Sequence, residues 1–569
     1  ISIYSIAATA TPPDTILFNG KILTVDPQFS VAEAIAISDG RIVAVGTNTE
    51  VLELAASQTD QFDLEGHTVI PGLIDNHMHY MRGASRWRFE ARIDGVTSRK
   101  KALNTISQKA KGLEPGQWVF VLGGWNEQQF SDAPGGFTTE ELDAAAPANP
   151  VFIQKSYSKA YMNSLAEQEL TQSKNDSSRE GGQQNNFSNT QRRSNRSSSG
   201  RSQTGRSSSG RSGGARTIIN QATTYVPSRS ESERVEDIVL FNSVLNSHGL
   251  TTVYDVGRST DGNFDPVKTL AEQDELTVRV FHSLRYRANN PIEVNEALTF
   301  IKSSEPRSND DWFGLIGIGE HTYNPLHDSS MRVSIYGDDV WEQFQRIAVY
   351  AAEGGWHIHE HAMQDTTASR ILDIAEALNK DHLMKDLRWT IAHCDLISNE
   401  SINRAKELGL TIAVHNKTAK PAMDDRDSPP IALIEDSGIV WGLGSDSTVV
   451  STINPFHSLW WVTSGKVFPN KKSIENTVSR QAALTAHTRN NAFLLFKEND
   501  LGSIEVGKWA DLVILDRDYM TVPVDEIREI MPFKQSFGER SFTTLKTEWP
   551  FTDCAESVWK VTRVGAGQE

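Results

Sequence analysis

Hydrophobic and polar positions change period along this chain. Over residues 14–70, short apolar runs alternate with turn residues: Thr15-Ile16-Leu17-Phe18, Asn19-Gly20, Lys21-Ile22-Leu23-Thr24-Val25, and then Ala34-Ile35-Ala36-Ile37, Asp39-Gly40, Arg41-Ile42-Val43-Ala44-Val45. Asn-Gly and Asp-Gly tolerate the positive φ of tight turns, so both pairs predict hairpins in a small antiparallel unit. The same texture returns at 502–508 and 510–516. The two ends of the chain are therefore expected to build one β-sandwich flanking a central domain.

Between the ends, short β-branched runs alternate with longer stretches of helical period, the pattern of a parallel α/β sheet or barrel. Eight candidate strands fall at 73–79, 251–256, 278–284, 315–320, 356–362, 389–393, 411–415 and 440–446, with an inserted pair at 118–122 and 150–154. Eight repeats predict an α/β fold, a distorted (β/α)8 TIM barrel whose active site lies at the carboxyl ends of the strands. The expected division is a tail at 1–13, sandwich segments at 14–70 and 497–569, and a barrel at 71–496 with an insertion at 80–170. A Ser/Arg/Gly-rich segment at 172–216, in which the heptad beginning at Arg196 recurs at Arg206, can pack no core. It is expected to be a solvated surface loop, with RNA binding or a phosphorylation switch as the alternative.

Composition narrows the function classes. With 38% hydrophobic and 23% charged residues, the 569-residue chain has the balance of a globular protein. No apolar run reaches the ~18 residues that span a bilayer. A formal charge of −17 disfavours nucleic acid as a partner of the whole molecule. Cys394 and Cys554 are too few for a disulfide framework, although one pair could form. Ala7-Ala8-Thr9-Ala10 is compatible with the remainder of an export signal, so the compartment stays open. A small-molecule substrate and a homo-oligomer are expected.

The candidate chemistry sits at strand ends. In Asp75-Asn76-His77-Met78-His79 the period of two aims both imidazoles to one side. His361, His393 and Asp446 end later strands and would converge on the same mouth. Any one of them alone could be a satisfied core residue; together they read as a metal site. His357 and His359 share the parity of His361 but lie deeper, and are read as core or ligand-orienting groups. Trp125 and Trp356 are candidate apolar walls of a substrate pocket.

With these residues the sequence resembles the amidohydrolase superfamily, in particular the amidohydrolase 3 branch that includes N-substituted formamide deformylases. The resemblance runs from Asn19-Gly20-Lys21-Ile22 through Pro71-Gly72-Leu73-Ile74-Asp75-Asn76-His77-Met78-His79, His361-Ala362-Met363-Gln364-Asp365 and Asp446 to the tail at 501–513. It implies one or two divalent ions, Zn²⁺ as first choice, held by His77, His79, His361 and His393, with Asp446 as catalytic aspartate within the metal site. It further implies attack of metal-activated water on a non-peptide C–N bond of an amide, formamide or cyclic amide, with Asp446 as general base and then acid. Two departures stand out. The fourth strand has no lysine to bridge two metals, and Glu320 is the nearest substitute; Ser158 stands where relatives often carry a histidine before Asn163-Ser164, which bears on specificity. The alternatives are a catalytically inactive scaffold, a metal-dependent isomerase or decarboxylase, and an esterase or lactonase.

Overall fold

Strands Leu73–Met78, Leu250–Asp255, Arg279–Leu284, Phe313–Glu320, His357–Gln364, Thr390–Leu396, Thr411–His415 and Trp441–Gly444 pair side by side in chain order, all parallel. They are numbered first to eighth below. The structure is a computed structural model that describes residues 11–173, 210–257, 264–284, 288–308, 310–330, 333–420, 428–537 and 540–544. The eighth strand returns to the first: Asp446 N–H donates to the His77 carbonyl at 2.7 Å, and His79 N–H to the Ser447 carbonyl at 3.1 Å. A side chain at Gly444 would strike Asp75 and Asn76, so this approach requires glycine. Register shifts, such as that between Ala362 and Gln364, distort the barrel.

Local sequence explains the alternation of helix and strand. Helices Asn399–Leu408 and Ile431–Ser437 each stop at a glycine in the left-handed region, Gly409 (φ 74°) and Gly438 (φ 72°), and the apolar run that follows becomes the next strand. Helix Glu231–Ser247 begins on a capping box, in which Ser230 accepts from Glu233 N–H and the Glu233 carboxylate accepts from Ser230 N–H.

Two further sheets draw on the ends of the chain. One joins Thr15–Phe18, Ala34–Ser38, Arg41–Gly46 and Asp60–Asp63; the other joins Lys21–Leu23, Val31–Ala32 and Thr68–Pro71 to Leu512–Leu515, Pro532–Phe537 and Arg540–Thr544. Asp39-Gly40 does turn a hairpin, with φ of 48° and 70° between antiparallel strands. Asn19-Gly20 does not. Thr15–Phe18 pairs with Ala34–Ser38 and Asp60–Asp63, whereas Lys21–Leu23 pairs with Val31–Ala32 and Thr68–Pro71. The turn instead carries the chain from one sheet to the other, so that Leu17 and Ile22 enter one shared core with Ile35, Val69, Leu512 and Ile514. Such a core removes more apolar surface from water than a two-stranded hairpin could.

Residues 86–229 form a second compact unit, which takes in most of the insertion expected at 80–170. Within it, helix Gly210–Thr223 packs Ile219 and Ala222 against Phe120 and Phe152 of the unit's own sheet. In that sheet Val151–Lys155 lies parallel to Val119–Val121 and antiparallel to Lys159–Met162. Most of the Ser/Arg/Gly-rich segment, and with it the RNA and switch readings, lies outside the described residues, as does Cys554. Cys394 is buried and free. Among the described residues no helix is long and apolar enough to cross a membrane.

Candidate metal centre

Carboxyl ends of the barrel strands carry a cluster of imidazoles and carboxylates. His77 and His79 leave the first strand on one side, as the period of two requires. His77 Nε2 lies 2.9 Å from Glu320 Oε2 and 3.9 Å from Asp446 Oδ1; His79 Nε2 lies 4.0 Å from Glu320 Oε1 and 3.4 Å from Asp446 Oδ1. His393, at the sixth strand, places Nε2 3.5 Å from Glu320 Oε2. His361 stacks edge-on to His393 at 4.3 Å between ring centroids. Donor atoms within 4.8 Å of one another fall into overlapping groups: His77, His79 and Glu320; Glu320, His361 and His393; and His77, His393, His415 and Asp446.

All six expected metal-site residues thus come together. Trp356 lies away from them within the barrel. Trp356 precedes the fifth strand whose other end carries His361; it is buried, with its carbonyl accepting from Trp389 Nε1 at 3.0 Å. Trp125 is buried within the unit of residues 86–229 against Phe130, Phe137 and Tyr161, and its Nε1 donates to the Gln154 carbonyl.

Several neighbours went unnoticed in the sequence. His415 ends the seventh strand; its Nδ1 is 2.8 Å from His393 Nδ1, and its ring lies 3.9 Å from that of His77. Ending a strand, as His393 nearly does, was the signal that could have found it. His321 follows Glu320 directly, with Nε2 2.9 Å from Glu320 Oε1. Asp328, in the loop beyond, lies 3.2 Å from His361 Nε2. His359 meets the reading of a ligand-orienting group, with Nε2 2.9 Å from His77 Nδ1, while His357 sits at the strand's other end, with Nδ1 3.3 Å from the Leu387 carbonyl.

Electrostatics prepare these groups to bind a cation. Burial alone would raise the Glu320 carboxyl, but the charges of His321 and His77, with the rings of His321 and His393 close beside it, hold it well below the usual carboxylate range. Asp446 is held low in the same way, against burial, by a hydrogen bond from His79 and by His393 and His77. Burial pushes His393 down to about 3, reinforced by His361, and drives His415 well below its ordinary value. His77 is raised, because Glu320 and Asp446 outweigh its burial. Ionised Glu320 and Asp446 beside neutral His393 and His415 are in the protonation states that metal ligands need, and His77 would give up its proton to an incoming cation.

The donor set fits a divalent ion. Nε2 of His77, His393 and His415 are buried and make no directed hydrogen bond, and buried polar atoms left in that state call for a partner. A cation among them would supply it, and a mixed N/O set is one that zinc accepts. Backbone strain marks the same place. His393 (φ 75°) and Asp446 (φ 55°) both hold left-handed conformations, which cost a non-glycine residue about 1–3 kcal/mol and persist where the surroundings enforce them.

Comparison with known proteins agrees with this geometry. Residues 60–560 match the family described as "Amidohydrolase family". The chain is 26% identical over 559 residues to Protein LONG AFTER FAR-RED 3 of Arabidopsis thaliana, covering 90% of this chain and 89% of that one. It is 24% identical over 553 residues to N-substituted formamide deformylase of Arthrobacter pascens, covering 91% and 96%. Its fold matches an uncharacterized metal-dependent hydrolase of Pyrococcus furiosus with a TM-score of 0.57 at 18% identity, over 89% of this chain and 100% of that one.

Proposed function

The chain belongs to the amidohydrolase family, and from that premise we propose that it is a Zn²⁺-dependent hydrolase of a non-peptide carbon–nitrogen bond in a small amide, formamide or cyclic amide. Similarity to the N-substituted formamide deformylase over nearly the full length of both chains supports the bond class. The observation that carries the reading is the position of Glu320. It belongs both to the group with His77 and His79 and to the group with His361 and His393, so Glu320 would help to hold metal together with either pair of histidines, in the strand where relatives carry a modified lysine.

Bound among these donors, zinc supplies Lewis acidity, which brings the pKa of water from ~15.7 toward ~7. The chain's own residues do the rest. Asp446, kept ionised and 3.4 Å from His79 Nε2, accepts the proton of the attacking water and returns it to the leaving nitrogen. His359 orients His77, and His415 orients His393, through contacts between ring nitrogens of 2.9 and 2.8 Å. Lys417 Nζ lies 2.6 Å from Asp395 Oδ1, both nearly fully buried. This pair ties the chain just beyond His415 to the chain just beyond His393, and so limits where those rings point.

Elemental analysis of metal-loaded protein, beside the variant Glu320→Gln, tests the reading. About two zinc ions per chain, falling toward one in the variant, is expected for a bridging carboxylate. An unchanged count would remove Glu320 from the metal site, and no metal after reconstitution would turn the reading toward a scaffold. Product analysis with N-substituted formamides, cyclic amides and lactones then tests the bond class.

A further inference from the structure

We infer that His321, His327 and His361 form an additional transition-metal site at the barrel mouth, one that competes for His361 with the Glu320-centred site. Donor nitrogens of the three rings all lie within 4.8 Å of one another. The ring centroids are 4.4 Å apart for His321 and His327, 4.6 Å for His327 and His361, and 5.1 Å for His321 and His361. His321 Nδ1 and His327 Nδ1 are 3.2 Å apart; two ligands on a tetrahedral ion with Zn–N bonds of about 2.0–2.1 Å stand roughly 3.3–3.4 Å apart.

The surroundings hold this arrangement and leave it accessible. Asp328 accepts N–H bonds from Met363 and Gln364 at 2.9 Å each and lies 3.2 Å from His361 Nε2, which fastens the loop carrying His327 to the end of the fifth strand. His321 and His361 are buried, whereas His327 is exposed, so an ion can reach the group from solvent. Three imidazoles with no bridging carboxylate select Zn²⁺, Cu²⁺, Ni²⁺ or Co²⁺ over Mg²⁺ and Ca²⁺.

Function enters through the shared ring. His361 also belongs to the group with Glu320 and His393, so an ion at the outer site draws that ring from the inner one. Excess transition metal is therefore an inhibitor. The inference rests on the proposed hydrolase for this consequence only; the binding site itself does not depend on it.

Equilibrium dialysis of the full-length protein against graded Zn²⁺, with bound zinc counted by elemental analysis, decides the matter in wild type, His327→Ala and His79→Ala. His327 is exposed, so its loss leaves the fold intact. Altering groups that merely orient ligands weakens metal sites by about 10- to 100-fold. Loss of His327 should weaken the outermost zinc by at least that much and relieve inhibition by excess zinc, whereas His79→Ala should keep the His327-dependent ion. Identical zinc isotherms for wild type and His327→Ala would overturn the inference. An unchanged isotherm for His79→Ala would instead count against the inner site alone.

Discussion

At the start of the third barrel strand, Arg279 is fully buried and donates to both oxygens of Asp511, at 2.8 and 3.0 Å, and to the Asp311 carbonyl at 2.8 Å. Trp312 and Trp509 flank its guanidinium. At the other end of the next strand Glu320 is almost as buried, at 3% exposure, yet it sits among imidazoles whose Nε2 atoms, in His77, His393 and His415, lack directed hydrogen bonds. In the first group each guanidinium nitrogen has a hydrogen-bond partner, and the group holds parts of the fold together. The second keeps donor atoms converging on one point with capacity to spare. Burial of charge is common to both, so burial alone does not mark a functional site; unfilled coordination does.

Substitutions at the two ends should therefore fail in different ways. The largest effect is expected for Asp446→Asn, which should lower turnover by about 10²–10⁴-fold, the contribution of a positioned general base. Its zinc content should stay close to wild type, and steady-state kinetics beside elemental analysis checks both. Near-normal turnover would remove the chemistry from this residue.

Arg279→Met leaves Asp511 buried without its partner and should cost about 3–5 kcal/mol of stability, while Arg279→Met with Asp511→Leu should recover most of it. Denaturant melts measure this, and the zinc count should not move. A single variant as stable as wild type would mean that the closed end does no structural work.

Lys417→Met should bind zinc about 10- to 100-fold more weakly, as expected when a group that orients ligands is lost. Zinc titration followed by competition with a chelator reads this directly. Unaltered affinity would detach the Asp395–Lys417 pair from the positioning of His393 and His415.

The smallest effect concerns pH. Burial pushes His357 and His487 down to about 4 and His457 to about 3, against about 6.5 in an unfolded chain. The unfolded chain then binds more protons than the folded one, so the stability these rings contribute is complete above about pH 6.5 and is lost as pH falls toward their folded values. Urea midpoints of metal-free protein should fall from pH 7 to pH 5, and His487→Gln should make that slope shallower. A slope identical to wild type would exclude His487 as a contributor.

Much of this architecture was legible because its signals are local. β-Branched runs, helix-stopping glycines and histidines at strand ends can each be read in a short window, and all eight barrel strands lie close to where the pattern put them. Glu320 stood out as the one acid ending a strand that lacks lysine. His321 did not, because adjacent residues in a strand point to opposite faces; the fourth strand ends at Glu320 and the chain turns, which frees the next side chain to meet the Glu320 carboxylate. His327 and Asp328 lie in a loop, where no period exists to read. Asn19-Gly20 has the chemistry of a hairpin, but the strands on either side of it found better partners in separate sheets.

By itself, then, the sequence determined which residues can form strands, where those strands end, and which donors stand at the ends, since these depend on near neighbours along the chain. Only the tertiary structure decided which donors meet. His77 and His359 are 282 positions apart and touch because eight strands close into a barrel. The division of the histidines into an inner group around Glu320 and an outer group around His327 follows from the packing of side chains within a few ångströms, a distance over which sequence spacing carries no information.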